Sequence, residues 1–201
     1  MLTMEIIYHR RNNIDLLIST PNNFGVEIDI RTYKNKLIIH HDPYCEGIDF
    51  EEWLKSYKHG TIILNVKEEG LEHKLLNILE KNSVDKFFFL DQSFPFLIKT
   101  AREGEKRCAV RFSEYESLET VLNLKGLIDW VWVDFFNKFP LNNESFIKLK
   151  DHKFKICLVS PELQSFGESE VIELKRNLKN QKINIDAVCT KYPFLWKDLK
   201  C

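Results

Sequence analysis

Four short clusters of polar side chains in the first third of the chain hold residue types that could do chemistry together: His9-Arg10, Glu27-x-Asp29, His40-His41-Asp42-Pro43 and Asn65-x-Lys67. Two carboxylates and an amide oxygen are hard donors of the kind that hold Mg²⁺ or Ca²⁺. Two histidines can serve as an acid and a base near neutral pH. Arg10 and Lys67 bring fixed positive charge for an anionic oxygen. These are the parts of phosphodiester chemistry. Each has a plainer explanation alone, since a single strand-end histidine or Glu-x-Asp is more often structural or on the surface. Their coincidence at successive strand ends favours a site, because His59, His73 and His152 fall instead in helix or loop segments.

For these clusters to converge, the elements that carry them must run in the same direction. Short apolar runs rich in Ile, Val, Phe and Trp alternate with segments of helical period. Strands are expected over residues 4–9, 25–30, 61–66, 86–90, 107–112, 130–135, 155–159 and 185–189, each apolar almost throughout, as strands covered on both faces should be. Helices are clearest over 68–82, 94–103 and 168–181. Residues 31–36 break the rhythm and read as a tight hairpin with Lys34-Asn35 in the turn, feeding an extra strand over 37–41. Eight β-then-α units without a linker predict an α/β fold of the (β/α)8 TIM-barrel type. It would be compact and form a single domain over 1–201, with a small extra β-hairpin strand after strand 2. An open doubly wound sheet is the alternative, but only seven glycines occur and no Gly-rich βα turn is among them.

In such a barrel chemistry sits at the C-terminal strand ends. Alternation puts Glu27 and Asp29 on one face, and Asn65 and Lys67 on one face. Of His40 and His41 only one can point inward with its strand; His41, adjoining Asp42-Pro43, is the expected one and His40 the structural one. Arg111, Ser113, Asp134 and Tyr192 follow later strands and are expected to shape a leaving-group pocket, with Asp134 also able to supply a charge to a bound cation. Trp130 and Trp132 share a face and read as packing.

Composition narrows the function classes. Lys plus Arg number 29 against 30 for Asp plus Glu, so no global field draws in nucleic acid. No apolar run approaches the ~20 residues of a bilayer span. The five cysteines, at 45, 108, 157, 189 and 201, form no CxxC pair and read as free thiols. That usage, and the lack of a secretory h-region ahead of His9, leads to the expectation of a cytoplasmic protein. Nothing in the sequence sets an oligomeric state.

His9-Arg10, then Glu27-x-Asp29 with Arg31-Thr32, a turn, and Leu37-Ile38-Ile39-His40-His41-Asp42-Pro43 resemble the glycerophosphodiester phosphodiesterase family, in the wider phosphatidylinositol-phospholipase-C-like superfamily. The family pattern runs His-Arg-Gly, Glu-x-Asp-Val-x-x-Thr-x-Asp-Gly and a hydrophobic run ending His-Asp. Leu64-Asn65-Val66-Lys67 is similar to its Glu-x-Lys, Ser93-Phe94 to its Ser-Phe, and residues 186–193 to its closing Asp-Gly-Ile-x-Thr-Asp-x-Pro. The resemblance spans the chain as that of a divergent member. Arg11 stands for the glycine of His-Arg-Gly, Asn35-Lys36 for Asp-Gly, Asn65 for a metal-binding glutamate and Lys191 for an aspartate.

Carried over by position, the resemblance implies a phosphoric diester hydrolase whose divalent cation, Mg²⁺ or Ca²⁺, is held by Glu27 and Asp29, with a neutral oxygen or water-mediated contact from Asn65. His9 and His41 would be the acid–base pair, Asp42 would orient His41, and Arg10 with Lys67 would bear on the phosphoryl oxygens of a small glycerol- or polyol-phosphodiester. A metal-independent or lyase-type relative giving a cyclic phosphate, and an inactive phosphate-binding barrel, are the alternatives.

Overall fold

The computed structural model describes residues 4–197. Its strands are β1 (Glu5–Tyr8), β2 (Gly25–Tyr33), β3 (Lys36–Ile39), β4 (Ile48–Asp49), β5 (Ile62–Val66), β6 (Phe87–Leu90), β7 (Ala109–Phe112), β8 (Trp130–Val133), β9 (Lys155–Val159) and β10 (Ala187–Thr190). The helices are α1 (Ile14–Ser19), α2 (Phe50–Leu54), α3 (Glu72–Lys81), α4 (Phe94–Arg102), α5 (Leu118–Leu122), α6 (Asn143–Asp151), α7 (Glu168–Asn180) and α8 (Pro193–Trp196). Eight strands pair in parallel in the order β6-β5-β2-β1-β10-β9-β8-β7, a curled sheet in a mixed α/β fold. The two outer strands of that order approach each other. Phe89 bridges to Cys108 in parallel, and its N–H donates to Arg107 O at 2.8 Å.

Away from the polar cluster on β2 and β5 the strands are largely apolar because each serves two cores. Phe88, Leu90, Trp130, Trp132, Cys157 and Cys189 belong to an inner cluster. Phe87, Phe89, Val131 and Val133, their alternates, pack outward with helical residues such as Leu75, Leu79, Leu149 and Val171. Burying each large side chain contributes about 1.5–3 kcal/mol, so a strand with both faces covered keeps few polar positions. Trp130 stacks on Phe88 at 4.5 Å and Trp132 lies in the same cluster, which makes both packing residues. Cys108, Cys157 and Cys189 are buried free thiols and Cys45 is half-buried; Cys201 lies outside the described residues.

Beyond Ile30, β2 runs on to Tyr33 and pairs antiparallel with β3, Ile30 facing Ile39 and Tyr33 facing Lys36. Lys34 and Asn35 form the turn at φ 47° and 65°, the left-handed pair that a two-residue hairpin requires. β4 adds a second antiparallel pairing onto β3. Helix α3 starts at Glu72 rather than at 68. Gly70 sits at φ 84°, and the Glu68 carboxylate is drawn away to Thr32, accepting from Oγ1 at 2.5 Å and from N–H at 3.2 Å. Helical periodicity in the sequence does not delimit α1, α2, α5, α6 or α8. Side-chain caps from Asn13, Asp49, Ser117 and Asn142 close four of them, and α1, α2, α5 and α8 are each too short for a helical period to show. No helix of the described residues is long and apolar enough to cross a membrane.

Candidate active site

β1, β2 and β5 are neighbours, so the polar residues at their C-terminal ends meet at one side of the mouth. Register sets Glu27 beside Ile63 and Asp29 beside Asn65. Ile63 lies in the inner core, so alternation turns all three polar side chains inward. Glu27 and Asp29 are 1% and 0% exposed. Asn65 Nδ2 donates to Glu27 Oε1 at 3.1 Å. Asn12 grips Asp29 at both ends, its Nδ2 donating to Oδ2 at 2.8 Å and its Oδ1 accepting from the Asp29 N–H at 3.0 Å. Lys67 Nζ lies 3.4 Å from Asp29 Oδ1, and Arg10 Nε 3.5 Å from Oδ2.

Arg10 is held at φ 51°, a left-handed conformation that costs a residue with a side chain about 1–2 kcal/mol. There its N–H donates to Glu27 Oε2 at 2.7 Å while the guanidinium reaches Asp29. His9 Nε2 stands 3.8 Å from the same Glu27 oxygen. Thus Glu27, Asp29, Asn65, Lys67, Arg10 and His9 form one cluster.

His40 and His41 are set apart. The His40 Nδ1 accepts from the Asp42 N–H at 3.0 Å, closing a local turn. His41 is partly open to solvent, its Nδ1 on Asp42 Oδ1 at 2.8 Å. Its backbone carbonyl accepts from Arg31 Nε at 2.9 Å, and Arg31 Nη1 reaches the Lys67 carbonyl at 3.3 Å, which ties residue 41 to the end of β5. No side-chain contact joins His41 to Glu27, Asp29 or His9 among the described residues.

The far side of the mouth is a belt of alternating charge. Lys67 Nζ lies 3.8 Å from Asp91 Oδ2; Asp91 Oδ1 accepts from Arg111 Nη2; and Arg111 Nη1 donates to Asp134 Oδ2 at 2.6 Å. Glu116 adds a third carboxylate 3.7 Å from Arg111. Asp134 is saturated by Arg111, by Gln164 Nε2 at 2.7 Å and by the Phe135 N–H at 2.8 Å, with no contact to Asn65 or Glu27. Ser113 Oγ accepts from the N–H groups of Tyr115 and Glu116, an internal turn contact. Tyr192 donates its N–H to Thr190 Oγ1 at 2.8 Å and lies 6.0 Å from Phe194, ring to ring. A cavity of about 580 Å³ opens beside Asp91, Arg111 and Glu116.

Asp91 and Glu162 escaped the sequence reading. Asp91 directly follows β6, so the strand-end rule already applied to the other clusters could have found it. Glu162, in a 3₁₀ turn after β9, accepts from Thr190 Oγ1 at 2.5 Å and from the Lys191 N–H at 2.8 Å. Nothing in its sequence neighbourhood signals a partner 28 residues away.

Burial first, then the charges of Arg10, Lys191, Arg11 and Lys67, push His9 down to about 3, leaving a neutral imidazole at ordinary pH. Burial first, then the adjacent Asp29, push Glu27 up to about 7, while the Arg10 N–H, Asn65 and Lys67 act in the opposite sense. The cluster is therefore short of positive charge at Glu27. Asp29 Oδ1 and Asn65 Oδ1 are also buried with no hydrogen-bond partner. No group of three or more His, Cys, Asp or Glu side chains among the described residues could hold a metal ion. Two carboxylates plus an amide oxygen nevertheless form a hard donor set, and the oxygens left without a hydrogen bond, one of them facing only the Lys67 ammonium at 3.4 Å, fit a hard cation.

No protein-family profile matches the chain. No curated protein sequence matches it either. Solved structures do. A glycerophosphodiester phosphodiesterase from Agrobacterium tumefaciens is similar with a TM-score of 0.66 at 11% identity, over 98% of this chain and 99% of that one. Another chain of that organism, provisionally named a glycerophosphoryl diester phosphodiesterase, gives 0.69 at 12% identity over 96% and 95%. One from Parabacteroides distasonis gives 0.64 at 13% identity, over 98% and 85%. The chain has the fold of the glycerophosphodiester phosphodiesterases. Within that fold the buried carboxylates of β2, Glu27 and Asp29, lie beside an asparagine of β5, Asn65, that already donates to one of them.

Replacing Asn65 by Glu is expected to tighten Mg²⁺ or Ca²⁺ by ~10-fold or more, because added ligand charge raises affinity for hard cations. In chelator the same variant should melt at lower temperature, since it loses the donor to Glu27 and sets a third carboxylate against it. Calorimetric metal titration checks the first effect; unchanged affinity would place residue 65 away from the cation.

Proposed function

We propose that this protein is a metal-dependent phosphodiesterase that hydrolyses a small glycerol- or polyol-phosphodiester. The observation that carries the reading is the buried pair Glu27 and Asp29, with no hydrogen bond to Asp29 Oδ1 or Asn65 Oδ1, opening beside His9, Arg10 and Lys67. The likeness of fold supports it. Glu27, Asp29 and Asn65 would hold Mg²⁺ or Ca²⁺, which when bound supplies Lewis-acid polarisation of a phosphoryl oxygen.

The chain's own groups do the rest. Arg10 and Lys67 bind phosphoryl oxygens and stabilise the charge that grows on them. One histidine of the pair His9 and His41 takes the proton of the attacking glycerol hydroxyl as its oxygen bonds to phosphorus. The other returns a proton to the departing alkoxide as the second P–O bond breaks. A cyclic phosphate formed this way is opened by water with the roles reversed. Asp42, on His41 Nδ1, leaves Nε2 free for this exchange. Arg111, Asp134 and Tyr192 shape the alcohol side. The same reading takes the curled sheet as a (β/α)8 barrel sealed at Phe89 and Cys108, with β3 as its extra hairpin strand, and places the protein in the cytoplasm, where buried thiols stay reduced.

One observation favours a second reading, a metal-independent or lyase-type enzyme. Lys67 and Arg10 already flank Asp29 at 3.4 and 3.5 Å and could stand in for the cation. Turnover of a panel of glycerophosphodiesters, followed by ³¹P NMR with and without chelator, separates the two. Activity lost in chelator and restored by Mg²⁺ or Ca²⁺ is expected. Undiminished activity ending at a cyclic phosphate would select the second reading, and absence of turnover on every diester would reject both.

A further inference from the structure

The described residues expose five large aromatic side chains: Tyr44, Phe94, Tyr115, Phe136 and Phe194. All five lie in segments that surround the mouth. Tyr44 is in the loop that carries His41, and the other four follow β6, β7, β8 and β10. The exposed large aliphatic side chains lie on α1, α6 and α7 and in the turn after α5.

The rings are held out rather than left over. Glu114 accepts from the successive N–H groups of Phe136, Asn137 and Lys138 at 2.6–3.1 Å, which fixes that loop. Asn137 donates to Tyr115 Oη at 3.2 Å, and the Tyr115 and Phe136 rings meet at 5.9 Å. Tyr44 is 99% exposed at φ 61°, a conformation that a bulky residue seldom keeps. Exposed lysines flank two of the rings, Lys138 beside Phe136 and Lys191 beside the Tyr192–Phe194 pair, while carboxylates stand near the others, Asp42 and Glu46 near Tyr44, Asp91 near Phe94, and Glu114 and Glu116 on either side of Tyr115.

We propose that the mouth of this protein seats on a lipid surface through this aromatic rim. Exposed aromatic rings suit a headgroup boundary, where apolar and wet surroundings meet, and the lysines beside Phe136 and Phe194 suit its phosphates. A protein partner would call for a continuous apolar patch at the centre of its footprint, whereas these rings stand on separate loops that follow strands lining a polar pit. The proposal rests on the phosphodiesterase reading only for what the docked surface presents: a phosphodiester at the lipid interface, directly below the rim.

The test is flotation of the full chain with vesicles of equimolar phosphatidylcholine and phosphatidylglycerol, comparing wild type with Tyr44→Ser/Phe136→Ser/Phe194→Ser. Wild type is expected to float, and the triple variant to lose about 10-fold or more in partition as buried apolar area is removed. The triple variant's melting temperature and its turnover of a water-soluble glycerophosphodiester should match wild type. If it fails to fold, Phe136→Ser alone must still show a measurable loss. Wild type remaining in the soluble fraction overturns the proposal, as does equal flotation of both proteins. Dimerisation of wild type that the serine variant abolishes, without flotation, would assign the rim to a second copy and overturn it too. Partition is read without catalysis, so its failure is distinct from a failure to turn over diesters.

Discussion

Glu27→Gln is expected to abolish turnover and yet to stabilise the metal-free protein above pH 7. Glu27 is buried beside Asp29, and its folded pKa stands at about 7, above the ordinary carboxylate value of 4.5. A group whose folded pKa is raised contributes stability that is fully present below its unfolded pKa and is lost as pH rises through the folded one. Wild type in chelator should therefore weaken between about pH 4.5 and 7, and the glutamine variant, which never takes up the charge, should not. The gain is on the order of 1–3 kcal/mol at alkaline pH.

Asp29→Asn removes the other carboxylate with the opposite effect on stability. Lys67 and Arg10 lose the partner they flank at 3.4 and 3.5 Å, and the cluster is left with uncompensated positive charge. Melting curves in chelator at pH 6 and pH 9, beside kcat/KM with Mg²⁺ or Ca²⁺, check both variants. Full activity in either would remove these residues from the metal, and a Glu27→Gln protein no more stable than wild type at pH 9 would mean that the pair is not short of positive charge.

His9→Ala and His41→Asn are each expected to lower kcat by roughly 10²–10⁴-fold, the usual range for a lost general acid or base. His40→Asn should cost far less, because the His40 ring closes the turn onto the Asp42 N–H. The two losses can be told apart by leaving group. The variant lacking the general acid should recover on a diester with a good leaving group such as p-nitrophenolate, which departs without a proton; the variant lacking the base should not. His41 is the solvent-facing member and can regain its proton from water, so recovery is expected for His41→Asn. Recovery of His9→Ala instead would exchange the roles, and an inactive His40→Asn beside an active His41→Asn would assign the catalytic position to residue 40.

The strand positions were legible because their chemistry is local. A run such as Phe87-Phe88-Phe89-Leu90 sends alternate residues to two cores, and the apolar continuity that results is visible without coordinates. Period two likewise sufficed to put Glu27 with Asp29 and Asn65 with Lys67. The start of α3 was misplaced by four residues, since nothing local shows that Glu68 is claimed by Thr32 across 36 residues. Short helices such as α2 and α5, expected only as members of βα units, had no legible bounds for the opposite reason: each is five residues long, too short for a period, and is set by its cap and by packing.

By itself, then, the sequence determined the alternation of strands and helices, the inward face of β2 and β5, and which acidic, basic and imidazole groups stand at strand ends, because backbone periodicity and residue type decide these within a few positions. Only the tertiary structure decided which groups pair. It gave Asp29 to Asn12, Lys67 and Arg10, committed Asp134 to Arg111 and Gln164, joined Asp91 to both Lys67 and Arg111, and set His41 on Asp42 at the solvent side while burying His9 beside Glu27. Apart from the adjacent His41 and Asp42, these partners come from different strand ends. Their distances follow from sheet register and from the competition of several cations for few buried carboxylates, quantities that exist only once the strands are paired in one sheet.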